Sequence, residues 1–337
     1  MAFAEQTDMA LSVTVGIPTP NNAETIRETL AQLLMGNRVP DRIQIVDAST
    51  DETPETIERV ASETAVDIRC ADQQETGRGV GAARQQIYHQ FEGDILACLD
   101  TNIRVDETWL QRRVQFHARH PEYDVLSATP LADADGEVRD PKRGYYFNQN
   151  NCSITRGALD RVNGWDPWFQ RGEDWEMGIR LWRSGARMYA MHELDGEPMT
   201  PDSLSEDVRK AANRPSSVAF LRKYGLWYLT FHPTHVLGDV ASVALVLAPV
   251  LAAVSPALTL GSVLVSVLLT TAFLYFYFVP HRNGSLLRLS DVRKIPHCYL
   301  FGYTAFRELR AGDFPWNCGG LDHDDCGRTD ELKTDSE

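Results

Sequence analysis

Short β-branched and aliphatic runs alternate with helical periodicities over the first hundred residues. Ser12–Ile17 (SVTVGI) reads as a buried strand that Pro18-Thr19-Pro20 ends. Asn21 and Glu24 then have capping-box spacing, and Ile26, Leu30, Leu33 and Leu34 recur at helical intervals. Ile43–Val46 is a second strand closing on Asp47-Ala48-Ser49-Thr50-Asp51, after which Pro54 suits the first residue of a helix. Val66–Arg69 gives a third strand. Gly77–Gly81 leads into a helix through Phe91, and Asp94–Leu99 is a fourth strand ending at Asp100. Strands and helices alternating at these intervals predict an α/β fold, a mostly parallel sheet with helices on both faces. Ligands of such sheets bind beyond the carboxyl ends of the strands, where Pro18, Asp47 and Asp100 fall.

Further along, Asn163–Arg183 (NGWDPWFQRGEDWEMGIRLWR) puts Gly164-Trp165-Asp166 on a turn and Glu173-Asp174 at the start of a helix. Ile179, Leu181 and Trp182 form that helix's apolar side, and Gly185 stops it. Carboxylates are favoured beside the unpaired N–H groups of a helix start. A neighbour such as Trp175 can desolvate one of them and make it a base. Beyond the charged stretch Ser203–Arg214 the pattern changes. Val236–Val254 is apolar apart from Asp239 and Ser242, and Ala257–Val279 carries no charge, with only Ser255-Pro256 between them. Two such runs predict a transmembrane hairpin. Arg209, Lys210, Arg214, Arg222 and Lys223 precede it and Arg282, Arg288, Arg293 and Lys294 follow. That bias places both termini and the catalytic domain in the cytosol. The expected division is a catalytic domain over 1–204, a charged connector over 205–233, the hairpin over 234–280, and a cytoplasmic segment over 281–337 with a fraying end.

A net charge of -14 argues against nucleic acid, whose phosphates would be repelled. Of 33 basic residues only five are lysine (142, 210, 223, 294 and 333), an acidic, lysine-poor composition similar to that of extremely halophilic proteins. Cys70, Cys98 and Cys152 lie in or beside apolar runs and read as small buried residues; no disulfide spacing is present. Cys318, His323 and Cys326 lack a clear four-ligand zinc pattern. The first ten residues do not read as a signal peptide.

Five motifs in order resemble the family 2 glycosyltransferases of GT-A fold over about residues 11–225. They are VGIPTPNNAETI, VDASTDET (with Ala48 where a second Asp is usual), ETGRGVGAARQ, DILACLDTN, and the block from Asn150 ending in Glu173-Asp174. With the hairpin and composition, the chain resembles haloarchaeal enzymes of dolichyl-phosphate-linked N-glycosylation. The resemblance implies a nucleotide-sugar site formed by Pro18, Thr19 and Asp47, with Arg78 or Arg84 meeting phosphate and Asp100 beside the diphosphate. It implies Mg²⁺ or Mn²⁺ at the DxD position, here Asp100-Thr101-Asn102, with His192 nearby. Asn102 offers only a neutral oxygen, so the metal should bind less tightly than in relatives. It assigns the catalytic base to Asp174, with Glu173 beside it and Trp165 and Trp175 on the acceptor side.

The expected activity is inverting hexosyl transfer to a polyprenyl (dolichyl) phosphate-linked sugar at the cytoplasmic membrane face. The alternatives are a synthase that charges the bare lipid phosphate, and an idle nucleotide-sugar-binding scaffold, which Asn102 would suit.

Overall fold

The computed structural model describes residues 11–73, 79–127, 136–138, 149–169, 172–191, 197–199, 217–226, 240–241, 243–244, 247–248 and 251–278. These fall into two units, one of the residues up to Phe169 and over Glu173–Pro201, the other of Gln170–Gly172 and the residues from Asp202 on. In the first, β1 (Val13–Thr19), β2 (Arg42–Asp47), β3 (Asp67–Asp72) and β4 (Ile95–Leu99) alternate with α1 (Ala23–Met35), α2 (Thr53–Ser62) and α3 (Gly79–Gln90). There follow β5 (Ile103–Arg104), α4 (Trp109–Arg119), β6 (Val125–Ser127), β7 (Asn151–Thr155), α5 (Arg156–Val162), α6 (Glu173–Arg183), β8 (Met188–Ala190) and β9 (Glu197–Pro198).

The main sheet has the order β3-β2-β1-β4-β7-β6-β8. Its first four strands run parallel, as the alternating pattern predicts. β7 runs antiparallel to both β4 and β6, so the sheet is mixed. Two apolar cores cover its faces. Val13, Val15, Ile17, Ile43, Ile45 and Leu99 pack with Ile26 and Leu30 of α1, Ile57 of α2 and Trp109 of α4. Opposite, Leu96, Cys98, Cys152 and Ile154 pack with Ile87 of α3, Leu159 of α5, and Met177 and Leu181 of α6. Alternate side chains of one strand point to opposite faces, which is why β4 divides between the cores.

Three local expectations change. The first strand runs on through Pro18 and Thr19, because Pro18 at the tip opposes Val46 without ending the ladder. The capping box does not form. Asn22 is the residue before α1 and makes no side-chain cap, while Asn21, at φ 51°, accepts from the Thr50 N–H at 2.8 Å. Asn21 thus ties the β1 tip to the loop after β2. Cys70 is exposed, since β3 is an edge strand with little packed on it; Cys98 and Cys152 are buried as expected.

The second unit contains α7 (Ser217–Tyr224), α8 (Pro256–Phe278) and helical residues between 240 and 252. The partition of side chains is reversed here. Val243, Leu260, Leu264 and Leu268 are exposed, while Ala241, Ala248, Ser266 and Thr270 are buried. Ser266 Oγ donates to the Ala241 carbonyl at 2.9 Å, and Ser262 Oγ to that of Ala244. Among the described residues, whose side chains in α8 stop at 272, no helix is long and apolar enough to cross a membrane. The segment 281–337, with Cys318, His323 and Cys326, lies outside the described residues.

Candidate functional site

The carboxyl ends of β2, β1 and β4 lie side by side, with Thr19 opposite Asp47 and Gly16 opposite Cys98. At about 4.8 Å per strand, Asp47 and the residue after β4, Asp100, stand roughly 10 Å apart along one sheet edge. This is the span of a ligand crossing three strand tips.

On the β2 side the site is built locally. Asp47 is buried and accepts from Ser49 Oγ at 2.5 Å and the Ser49 N–H at 3.2 Å. Burial pushes its carboxyl above the usual range; the Ser49 hydrogen bonds work against this, and the charges of Asp72 and Asp51 add to it. Thr19 is buried beside it, and its carbonyl accepts from the Ala48 N–H. Asp51 accepts from Thr53 and starts α2. Each of these contacts spans a few residues or one pair of strand tips.

The β4 side is built from distant segments. Arg84 of α3 donates from Nη1 to Glu173 Oε1 at 2.6 Å and to Gln149 Oε1 at 3.1 Å, and from Nη2 to Asp100 Oδ1 at 2.9 Å. One guanidinium therefore joins the acid after β4 to the first residue of α6. Arg84 is 3% exposed, and Glu173 is buried with it. One cation cannot neutralise two carboxylates. Burial pushes Glu173 up to about 8, the charge of Asp174 adds to this, and Arg84 opposes it. Arg84 itself is raised: burial alone would lower it, but Asp100 and Glu173 outweigh that. Asp174 is only partly buried and accepts from the Trp175 N–H at 2.9 Å.

Two further contacts hold α6 in register. Gln85 accepts from the Trp165 N–H and donates to the Asn163 carbonyl, gripping the turn before α6. Gly81 lies so close to this turn that a Cβ would come within 2.2 Å of the Phe169 carbonyl oxygen and 3.2 Å of Glu173 Cβ. The glycine-containing segment thus gives α3 its close approach to the start of α6. The phosphate approach expected of it rests on Gly77 and Arg78, which lie outside the described residues.

Of the sequence-predicted residues, Glu173, Arg84 and Asp100 meet directly, and Pro18, Thr19 and Asp47 share the neighbouring strand tips. Arg84 has no exposed face for phosphate. Both tryptophans are buried: Trp165 is fully enclosed with its indole donating to Gln149 Oε1 at 2.5 Å, and Trp175 is 6% exposed. They support the site from within rather than offering an acceptor surface. His192 lies outside the described residues. Gln149 was not foreseen. It accepts from Arg84 and Trp165 at once, and its only sequence signal is the amide run Asn148–Asn151.

For a divalent cation, Asp100 has Oδ1 on Arg84, and the Asn102 carbonyl accepts from the Met199 N–H at 2.7 Å. The protein therefore offers one further carboxylate oxygen of Asp100 and the Asn102 amide oxygen. A hard cation takes about six oxygens, so the site fits one only when a diphosphate and water complete it. Among the described residues no three His, Cys, Asp or Glu side chains gather into a metal site.

Residues 14–170 match the sequence profile of Glycosyl transferase family 2. No curated protein matches the chain at a significant level. Among solved structures, the fold is similar to a mannosyltransferase, PcManGT, from Pyrobaculum calidifontis, in complex with GDP-Man and Mn²⁺. The identity is 18% and the TM-score 0.54, with 91% of this chain and 89% of that one covered. A glucosyl-3-phosphoglycerate synthase from Mycobacterium tuberculosis, in complex with Mg²⁺ and uridine-diphosphate, gives 14% identity and a TM-score of 0.45, over 59% of this chain and 75% of that one.

Proposed function

We propose an inverting hexosyltransferase, a reading supported by the match of residues 14–170 to Glycosyl transferase family 2 and by the GT-A-like α/β fold. It moves a sugar from a nucleotide-sugar donor to a hydroxyl of a polyprenyl (dolichyl) phosphate-linked sugar, at the cytoplasmic face of a membrane, in protein N-glycosylation. The observation that carries the catalytic half is the start of α6, fastened to Asp100 through Arg84 with a partly exposed carboxylate next in sequence.

The steps follow from that placement. Asp47 accepts hydrogen bonds from the base, and Thr19 and Pro18 line the same side. Asp174 takes the proton of the acceptor hydroxyl. The oxygen attacks the anomeric carbon from the face opposite the diphosphate, the carbon–oxygen bond to the diphosphate breaks, and configuration inverts. Glu173 is held on Arg84, which leaves the proton transfer to Asp174. Asp100 and Asn102 would hold Mg²⁺ or Mn²⁺, which when bound offsets the leaving diphosphate's charge. The GDP-Man and Mn²⁺ of the mannosyltransferase of similar fold favour this donor and metal class.

The membrane half draws support from the second unit. Ala257–Val279 has no charge in its sequence, and an apolar run of that length would measure roughly 34 Å as a continuous helix, the thickness of the hydrocarbon core. Small and hydroxyl residues buried inside, with leucines outside, are what helix pairing in lipid requires, because lipid offers leucine no penalty. Serine-to-carbonyl bonds between the helical segments fit the same setting.

Membranes carrying the full chain, incubated with labelled nucleotide sugars and lipid acceptors, test the reading. Transfer to a lipid-linked sugar is expected. Transfer to bare lipid phosphate would reassign the acceptor, and donor binding without turnover would leave a nucleotide-sugar-binding scaffold.

A further inference from the structure

The sequence suggests a phosphate contact for Arg84, but its surroundings suit another task. All its hydrogen bonds go to protein acceptors that belong to distant parts of the chain: Asp100 after β4, Gln149 before β7 and Glu173 opening α6. Three of its five N–H bonds are spent on these acceptors, Nε is buried and unpartnered, and the side chain as a whole is 4% exposed, which leaves little of it to face a ligand. A planar guanidinium fixes the relative direction of the groups it bonds, which a single ammonium does not. The three acceptors are supported in turn. Gln149 Oε1 accepts from the Trp165 indole N–H, the Asp100 N–H donates to the Asn150 carbonyl, and Glu173 lies against Gly81.

We infer that Arg84 is a positioning residue, which sets the start of α6, and with it Asp174, against the donor-side acid Asp100 without touching the donor. This rests on the glycosyl-transfer reading for its catalytic consequence but not for its structural one. Substrate geometry decides the rate when the reacting atoms must meet within a few tenths of an ångström. Arg84 is therefore needed for turnover and dispensable for donor affinity.

The test compares wild type with Arg84→Met and Arg84→Lys in the full-length protein. Calorimetry with the nucleoside diphosphate gives donor-side affinity, and steady-state kinetics give kcat and the acceptor KM. The expected result for Arg84→Met is a donor Kd within about threefold of wild type and a kcat lower by about 100-fold. Arg84→Lys restores the buried charge but not the fork, and should recover less than about tenfold of that loss. A donor Kd weakened tenfold or more, with kcat at saturating donor near wild type, overturns the inference in favour of phosphate contact. Should Arg84→Met fail to fold, the lysine variant carries the same comparison. A double-mutant cycle with Glu173→Gln adds a second readout. The effect of Glu173→Gln on kcat should shrink to less than about twofold once Arg84 is gone, and additive effects would count against a shared role. Hydrogen exchange separates this inference from the activity itself. Nucleoside diphosphate binding should slow exchange in the first turn of α6 in wild type and not in Arg84→Met. That result without any sugar transfer would sink the proposed activity and keep the positioning role; equal protection in both proteins would sink the positioning role.

Discussion

The two sides of the candidate site are assembled in opposite ways. At the β1 and β2 tips Asp47 bonds Ser49, Asp51 bonds Thr53, and Asn21 bridges to Thr50, so one loop and its neighbour make that side of the site. At the β4 tip, Arg84 reaches Glu173, 89 positions away, and Gln85 reaches Trp165, 80 positions away. The first arrangement is set by short-range turn chemistry, the second by how α3, β7 and α6 pack. Binding a donor asks for a preformed pocket; bringing an acceptor hydroxyl onto it asks for two separate segments held at a fixed distance. The contrast therefore divides affinity from turnover, and substitutions on the two sides should affect different quantities.

The largest effect is expected at Asp174. Asp174→Asn should lower kcat by about 10²–10⁴-fold and leave donor Kd unchanged, as loss of a general base does. Activity within tenfold of wild type would remove the base from this side. Asp47→Ala should do the converse. A lost hydrogen bond to a charged group weakens donor binding by about 10–100-fold in calorimetry, with kcat at saturation little changed. Asn102→Asp should tighten Mn²⁺ binding in the presence of nucleoside diphosphate by about tenfold, read by paramagnetic relaxation or titration, since a charged oxygen replaces a neutral one. Gly81→Ala pushes a methyl group at the Phe169 carbonyl, so stability should fall by about 1–3 kcal/mol with donor affinity kept. A thermal melt and the same calorimetry would check it, and unchanged stability would mean the turn yields freely.

The last effect concerns pH. Glu173 keeps its proton up to about 8 when folded and loses it near 4.5 when unfolded. Between those values the folded state binds more protons than the unfolded chain. Stability from this group is thus full below the lower value and declines as pH rises toward 8. Denaturant melts at pH 5 and 8 should show the decline, and Glu173→Gln should flatten it.

The same contrast explains what could be read from the residues alone. The β1, β2 and β4 tips and their acids were legible because alternating apolar runs end in turn residues that bond two positions away. The start of α6 was legible from its adjacent acids, its apolar periodicity and Gly185. What Arg84 does there was not, because nothing in Ala83-Arg84-Gln85 says which distant side chains will surround it. Gln149 sits in an amide run without periodicity. β7 interleaves Asn151 and Ser153 with Cys152 and Ile154, and its central, antiparallel place depends on partners that pattern does not name. In the second unit the apolar runs were evident, but the inward serines and alanines were not distinguishable from their neighbours by hydropathy.

The Arg84 junction also bears on how the protein renatures. Its three acceptors come from segments that cannot meet until β4, β7 and α6 are all docked, and contacts of such large sequence separation form late because each closes a long loop. After dilution from denaturant, helical signal should therefore return before enzymatic competence does, and mild heating should silence the enzyme while most of its sheet still stands.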